Sequence, residues 1–173
     1  ADRGFLSSDF RSPEHTAQLI IQVAGRAGRA DKAGLVLIQT LQPENPALLT
    51  LVREGYLSFA QQLLVERRML GLPPFTYACL VRVESKSLEN NQQILHQAIT
   101  LLPSRQQMTA LGIAINGPVD APMAKKNSRY HSHLLILTKT RHVRQQLLSD
   151  WWRQTIALPS AKYARLSIDI DPM

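Results

Sequence analysis

The chain has 173 residues, of which 45% are hydrophobic and 19% charged, with a formal net charge of +7 at pH 7. This composition excludes a disordered tail and fits one large or two small globular domains. Since no apolar run approaches the roughly 20 residues of a membrane span and no hydrophobic signal sequence leads the chain, a cytoplasmic location is the default expectation.

The positive charge lies mostly in the second half of the chain. Residues 1–75 hold eight Lys and Arg against seven Asp and Glu, whereas residues 76–173 hold twelve against six. An excess of cations favours nucleic acid or an acidic peptide as partner, although solubility alone also explains a modest net charge.

The first predicted helix spans residues 13–29. Ser12, Pro13 and Glu14 supply a capping hydroxyl, a proline suited to the first helical position and an acid in the first turn. The side chains predicted to be buried are Ala17, Ile20, Ile21 and Ala24. The apolar run at residues 35–38 then predicts a strand buried on both faces of a parallel sheet.

Two more helices are predicted at residues 47–54 and 56–70. In the second, an apolar stripe is explained by plain core packing and consists of Phe59, Leu63 and Leu70. The prolines within residues 72–75 mark the predicted domain boundary, because proline cannot continue a helix and extends the residue before it.

From Thr76 onward the pattern is that of alternating strands and helices. The predicted strands are residues 77–84, 112–119, 130–138 and 165–170, and the predicted helices are residues 88–102 and 143–156. This βαββαβ order predicts the ferredoxin-like split βαβ arrangement, an antiparallel sheet with two helices on one face. The single Cys79 falls in an apolar strand and is predicted to be a buried small hydrophobe.

Two arginines in the first helix form the main candidate for chemistry. Gln22, Arg26 and Arg29 stand at i, i+4 and i+7 and so share a helix face. Guanidinium forks suit phosphate oxygens that gain charge during transfer, as in an arginine finger. Gly25 and Gly28 each weaken a helix by about 1 kcal/mol relative to alanine, which favours close approach of a backbone or a phosphate. The alternative is an ordinary solvated helix face.

The pattern Q-x-x-G-R-x-x-R that starts at Gln22 resembles motif VI of superfamily 2 helicases. Further segments extend the resemblance, and they are ADRGF at 1–5, DFRSPE at 9–14, LPPF at 72–75 and GPVDAPM at 117–123. Together they are similar to the C-terminal part of the PriA family of primosomal replication-restart helicases, over nearly the whole chain.

The resemblance implies three parts. Residues 1–42 would be the end of a RecA-like helicase lobe 2 with the motif V and VI region, residues 43–75 a helical connector, and residues 76–173 an α+β C-terminal DNA- and partner-binding domain like a ribosomal small-subunit protein. Because the chain starts at Ala1 without an initiator methionine, it is expected to be a fragment.

The resemblance also implies an ATP-dependent 3′→5′ DNA helicase that recognises stalled or branched forks and restarts replication by primosome assembly. Arg26 and Arg29 would be catalytic ligands of the γ-phosphate, with Gln22 and Gly25 in nucleotide binding. The chain lacks a Gly-rich phosphate loop and an acidic magnesium motif. The cofactors ATP and Mg are therefore expected to bind only in the full-length parent. The fragment alone is expected to be inactive. Zinc-binding cysteines of the family would lie outside this chain.

A basic loop is predicted between the second and third strands. It holds Lys125, Lys126, Arg129 and Tyr130. Cations can reach phosphates and a flat ring can stack on an exposed base, so this loop is a candidate for binding branched and single-stranded DNA. The alternative is a solvated turn in which Tyr130 faces the core.

A second basic candidate lies at the start of the last predicted helix. Arg141 and Gln145 are one turn apart, with Lys139 and Arg144 nearby. The resemblance implies that this helix helps to bind the acidic C-terminal tail of single-stranded DNA-binding protein, with Arg141 on its terminal carboxylate and Gln145 hydrogen-bonded to it. Other primosome proteins are further expected partners. An exposed basic helix face is the alternative.

Three histidines, His131, His133 and His142, suggest a metal, but no carboxylate or cysteine stands beside them at ligand spacing, so no metal site is predicted. A different class of function is a non-enzymatic RNA-binding or scaffold module. That hypothesis predicts an RNA preference and dispensable Arg26 and Arg29, and the helicase-like segment before residue 40 argues against it.

Overall fold

The computed structural model describes residues 2–5, 9–27, 34–126 and 128–172, with the backbone alone for residues 3 and 122–126. The chain divides into two compact units, Ala1–Leu70 and Gly71–Met173. The predicted helical connector, residues 43–75, therefore lies mostly in the first unit, together with the predicted helix at residues 13–29. None of the helices in the described ranges is long and apolar enough to cross a membrane.

The first unit is helical in its described part. Its helices are α1 (Asp2–Phe5), α2 (Ser12–Ala27), α3 (Pro46–Arg53) and α4 (Tyr56–Met69). The start of α3 is set locally, because the Asn45 side chain accepts a hydrogen bond from the Leu48 amide at 3.2 Å and Pro46 follows the cap.

A small core holds these helices together. It consists of buried Ala17, Leu51, Phe59 and Leu63. The Phe5 ring meets Phe59 edge-on, with ring centroids 6.3 Å apart. Helix α1 can approach α2 this closely only through Gly4, because a Cβ there would lie 1.6 Å from the Thr16 hydroxyl oxygen.

Three predictions of burial in this unit were wrong. Ile21 and Ala24 are exposed on α2, because the helix packs only through the stripe that contains Ala17 and Ile20. Leu70 is 70% exposed because it is the C-cap of α4, beyond the turn that carries Leu63.

The strand predicted at residues 35–38 is not observed. Residues 34–40 have no regular secondary structure, and Leu35 and Leu37 are 82% and 85% exposed. An inner strand of a parallel sheet needs a neighbour on each side, and the described residues of this unit supply none. The segment is held at its end by Asp2, which accepts hydrogen bonds from the Thr40 hydroxyl and from the Leu41 amide at 3.0 Å. The hydrogen bond from Thr40 lowers the pKa of Asp2.

The second unit is an antiparallel sheet with helices. Its elements are β1 (Tyr77–Ser85), α5 (Leu88–Thr100), α6 (Arg105–Leu111), β2 (Ile113–Lys126), β3 (Arg129–Thr138), α7 (Arg141–Ile156), a 3₁₀ helix (Pro159–Tyr163) and β4 (Arg165–Ile170). The spatial order is β2-β3-β1-β4, with antiparallel neighbours throughout. This is the predicted split βαβ order, in which β3 lies between β1 and β2.

One face of the sheet is covered by α5 and α7. Alternate residues of β1 and β3 are buried there, and they include Cys79, Val81, Val83, Leu134 and Ile136. The indole N–H of Trp151 donates to the Ala98 carbonyl at 2.7 Å and joins the two helices. Cys79 is fully buried, as predicted, and burial raises the pKa of its thiol to about 11.

Two features of this unit differ from the sequence prediction. Helix α6 was missed, although Ser104 and Gln107 form a reciprocal capping box at its start. Strand β2 does not end near residue 119 but continues to Lys126 through two register shifts. The first shift contains Gly117, which has a positive φ of +111°. A Cβ added there would lie 3.0 Å from the His133 carbonyl oxygen, so this position excludes a side chain.

Candidate functional site

The predicted nucleotide-binding face lies on the last two turns of α2. Gln22, Gly25 and Arg26 are exposed, and Gln22 and Arg26 stand one turn apart. Arg29 lies outside the described residues, so its predicted place beside them stays a prediction. An added Cβ on Gly25 would meet no atom within 4 Å, so the described part of this chain does not make the predicted close approach.

A groove beside this face contains residues that the sequence analysis did not identify. It has a volume of about 610 Å³ and is lined by His15, Gln18, Leu19, Ile21, Gln22 and Tyr56. The Gln18 amide donates to the Tyr56 hydroxyl at 3.3 Å, across from α2 to α4. Because Tyr56 is 34 positions from Gln22 in the chain, no local pattern could have linked them.

Helix α2 is fixed by an arginine of α4. The Arg67 guanidinium donates to Glu14 at 2.8 Å and to the Phe10 carbonyl at 3.2 Å, and it lies 5.2 Å from the centre of the Phe10 ring. The side chain of Arg67 is largely buried. Its role in this unit is to position α2.

The predicted DNA-binding loop is the end of a β-hairpin. Residues 122–126 belong to strand β2 and not to a loop, because pairing with β3 continues to Lys126 opposite Arg129 and Lys125 opposite Tyr130. The connection is two residues long, and its Ser128 has a positive φ of +61°. The side chains of Lys125 and Lys126 lie outside the described part of the structure. The Arg129 guanidinium contacts Glu84 at 3.5 Å.

The structure does not bring Arg129 and Tyr130 to the same face of the sheet. Successive side chains of a strand point to opposite faces. Tyr130 shares the helix-covered side with Ser132 and Leu134, whereas Arg129 shares the other side with His131. The alternative that Tyr130 faces the core is thus the better description of this half-buried residue.

A buried polar network anchors the base of the hairpin. The fully buried Asn91 of α5 donates to the Tyr130 carbonyl at 2.9 Å and to the Val83 carbonyl at 3.3 Å. Asp120 of β2 accepts from the Ser132 hydroxyl at 3.1 Å and from the Gln92 amide at 2.8 Å. These contacts connect β2 and β3, at the base of the hairpin, to α5.

The sheet face opposite the helices carries polar side chains towards the hairpin end, where Arg82 and Glu84 of β1 lie opposite His133 and His131 of β3. Arg82 and Asp169 form an ion pair at 2.7 Å across β1 and β4. Burial, together with the charges of Arg82 and His131, lowers the pKa of His133 below its usual value of 6.5. Within the described ranges, no group of three or more His, Cys, Asp or Glu side chains could hold a metal ion.

The predicted partner-binding residues lie at the start of α7. Arg141 and Gln145 are both exposed and one turn apart, and the Thr140 hydroxyl caps the helix by accepting from the Val143 amide at 3.2 Å. Arg141 therefore occupies the first turn, where a cation is disfavoured by the helix dipole.

Arg144 does not belong to this exposed basic face. Its side chain is buried and donates to the Ala78 carbonyl at 3.1 Å and to the Asp171 carboxylate, with the guanidinium 5.4 Å from the centre of the Tyr77 ring. The residue fastens α7 to both β1 and the end of β4. A helical wheel alone cannot distinguish such an inward arginine from an exposed one.

Comparisons with known proteins agree with the motif resemblance. Residues 68–173 match the family model of the primosomal protein N C-terminal domain. The chain is 39% identical over 171 residues to a replication restart protein PriA of Haemophilus influenzae. The aligned residues cover 99% of this chain and 23% of the relative.

Two more distant relatives carry the same name. The PriA of Treponema pallidum is 32% identical over 173 residues, 100% of this chain and 25% of the relative. That of Bacillus subtilis is 31% identical over 175 residues, 99% of this chain and 21% of the relative. The chain thus spans about a quarter of the length of these relatives. It belongs to the family of the primosomal protein N C-terminal domain, the family of replication restart protein PriA.

Proposed function

We propose that this chain serves replication restart as the C-terminal, DNA- and partner-binding portion of an ATP-dependent 3′→5′ DNA helicase. The observation that carries the proposal is the similarity over 99% of the chain to proteins named replication restart protein PriA. The cation excess of the second unit supports DNA as the partner. With DNA as its partner, the protein would act in the cytoplasm.

In this proposal, the first unit contributes to a motor lobe. The apolar segment at residues 34–41, with Leu35 and Leu37 exposed, becomes an inner strand once strands from the rest of a longer protein lie beside it. Gln22, Gly25 and the two arginines then face ATP, with Mg and zinc held by residues outside this chain. Arg26 and Arg29 stabilise the charge that develops on the γ-phosphate.

The motor role is tested by Arg29→Ala in the longer protein. Because an arginine finger acts on the transition state, DNA-stimulated ATP hydrolysis should fall by about 10³-fold or more while DNA affinity is kept. The matched control is Arg53→Ala, an exposed arginine in the last turn of α3. Unchanged ATP turnover in Arg29→Ala would rule out the assignment.

The binding role divides between two surfaces of the second unit. The hairpin end with Lys125, Lys126 and Arg129 contacts DNA phosphates, since a rigid hairpin can present cations to a backbone. Arg141 and Gln145 bind the acidic C-terminal tail of single-stranded DNA-binding protein, with Arg141 on the terminal carboxylate. This fits an exposed pair one turn apart on α7.

The two surfaces are tested together on this chain, each variant being the control for the other. The triple variant Lys125→Ala/Lys126→Ala/Arg129→Ala should weaken binding of forked DNA and flatten its salt dependence by nearly one unit for each lost phosphate contact. It should bind the tail peptide normally. Arg141→Ala should show the reverse. Fluorescence anisotropy across a salt series measures both.

Three outcomes separate the alternatives. Retained DNA affinity and slope in the triple variant would contradict the hairpin site. Unchanged peptide affinity in Arg141→Ala would contradict the tail site. Tighter binding of a matched RNA than of the DNA would favour the non-enzymatic RNA-binding module over the helicase portion.

A further inference from the structure

The most exposed aromatic ring among the described residues belongs to Tyr163. This side chain is 79% exposed at the end of the 3₁₀ helix, two residues before the start of β4. Along β4, Leu166 and Ile168 pack against the core, so Arg165 at the start of the strand faces away from it.

The ring is flanked by cations. The Lys162 ammonium lies 5.7 Å from the centre of the Tyr163 ring, within the range of a cation–π contact. Arg165 is two residues further on and is exposed. An exposed flat ring with cations close by is the combination with which proteins bind single strands, because the ring stacks on a base and the cations contact the adjoining phosphates.

This cluster lies at the same end of the sheet as the hairpin. Arg165 pairs with Glu84 in register, Glu84 pairs with His131, and the Arg129 guanidinium reaches Glu84 at 3.5 Å. The last residue of β2, Lys126, is opposite Arg129. The starts of β3 and β4 and the end of β2 therefore all place cations at one end of the sheet.

The positive charge at this end of the sheet favours a polyanion over a neutral or basic peptide. Lys86 follows directly after β1 and is exposed, which adds a further cation beside those of β2, β3 and β4. Glu84 lies among them by register and pairs with Arg129, and Glu89 lies in the first turn of α5, so Lys86, Lys162 and Arg165 supply the positive charge that remains beside Tyr163. A single strand that contacts this end meets several positive side chains and one flat ring.

We propose that single-stranded DNA binds across this end of the sheet, with an unpaired base stacked on Tyr163 and its phosphates on Lys162 and Arg165. The inference rests on the proposed DNA binding and deepens it, because phosphate contacts alone do not distinguish paired from unpaired strands. A stacking ring requires an unpaired base, so Tyr163 gives this unit a preference for the single-stranded part of a branched substrate.

The test compares Tyr163→Ala with Tyr163→Phe on this chain. With a fluorescent oligo-dT strand, the alanine variant should bind about 5- to 150-fold more weakly, whereas the phenylalanine variant keeps the ring and should bind within about twofold of the parent. On a strand of equal length with abasic sites throughout, the parent and both variants should bind alike. Lys162→Ala and Arg165→Ala should each flatten the salt slope by about 0.7, and Tyr163→Ala should not.

The matched control is Arg105→Ala, an exposed arginine at the start of α6, which should change nothing. Equal binding of oligo-dT by Tyr163→Ala and the parent would overturn the stacking site. If the hairpin triple variant still loses DNA affinity in that case, the proposed DNA binding stands and only this inference fails. If the parent binds neither forked DNA nor oligo-dT, both fail.

Discussion

The two units of this chain differ in how completely each buries its own apolar residues. Among the described residues, the second unit has a core of eleven buried residues between one sheet face and two helices, whereas the first has a core of four. Large apolar side chains stay exposed in the first unit, and they include Leu19, Val23, Leu35, Leu37 and Leu41. The described part of the first unit therefore leaves more of its apolar side chains uncovered than the second unit does. In the proposed function, the remainder of a motor lobe would cover them.

The largest expected effect on stability comes from creating a cavity in the core of the second unit. Ile94→Ala removes a fully buried side chain and should lower the free energy of unfolding by about 2–5 kcal/mol, through lost burial and the cavity that remains. Urea denaturation followed by tryptophan fluorescence measures this unit selectively, because both tryptophans, Trp151 and Trp152, lie in α7.

The control for this experiment is the same substitution at a half-exposed position. Ile156→Ala, at the end of α7, should lower the free energy of unfolding by about 1 kcal/mol or less, since Ile156 is 50% exposed. Equal losses in Ile94→Ala and Ile156→Ala would show that the second unit does not depend on the core described for it.

A smaller effect should appear on acidification. The folded state holds the pKa of His133 below 6.5, so the unfolded chain binds a proton more readily. The free energy of unfolding should therefore fall as the pH drops through about 6.5, and it should stop falling below the pKa of the folded state. The total loss is at most about 1.4 kcal/mol for each pKa unit by which the folded and unfolded states differ. Urea titrations at pH 7.5 and 5.5 measure it.

His133→Gln removes the titrating group while it keeps a polar side chain, so its acid-induced loss should be smaller than that of the parent. His142→Gln, at an exposed position on α7, is the control and should behave like the parent. The same acid-induced loss in His133→Gln as in the parent would assign the effect to other groups.

The sequence predicted the second unit well because its signals are local. Strand alternation and helical periodicity lie within the elements that they define, although the N-cap Thr140, which starts α7 at Arg141 and not at residue 143, was missed. The continuation of β2 from residue 119 to Lys126 could not be predicted, because Gly117 and the prolines around it interrupt the alternation that identifies a strand. That error turned the hairpin tip into a loop and placed Arg129 and Tyr130 together, although one residue of register separates their faces.

The first unit was predicted less well for the opposite reason. The apolar run at residues 35–38 predicted a buried strand, and this prediction was wrong for the described structure, because a run of apolar residues does not show whether pairing partners are present. Among the candidate site residues, local spacing placed Gln22 beside Arg26 and Arg141 beside Gln145. It could not show that Tyr56 lines the groove with Gln22, or that Arg144 turns inward to Asp171.

The pairing of β4 with β1 also bears on how this unit folds. Cys79 opposite Ile170 joins positions about 90 residues apart, further apart in the chain than the partners in the other strand pairs. Loops of that length close slowly, because chain entropy is lost before the contact is gained. The Arg144–Asp171 ion pair lies just beyond this closure. Helix α7 is therefore fastened next to the most non-local of the strand pairings, which links the order of the proposed partner-binding surface to the completion of the sheet.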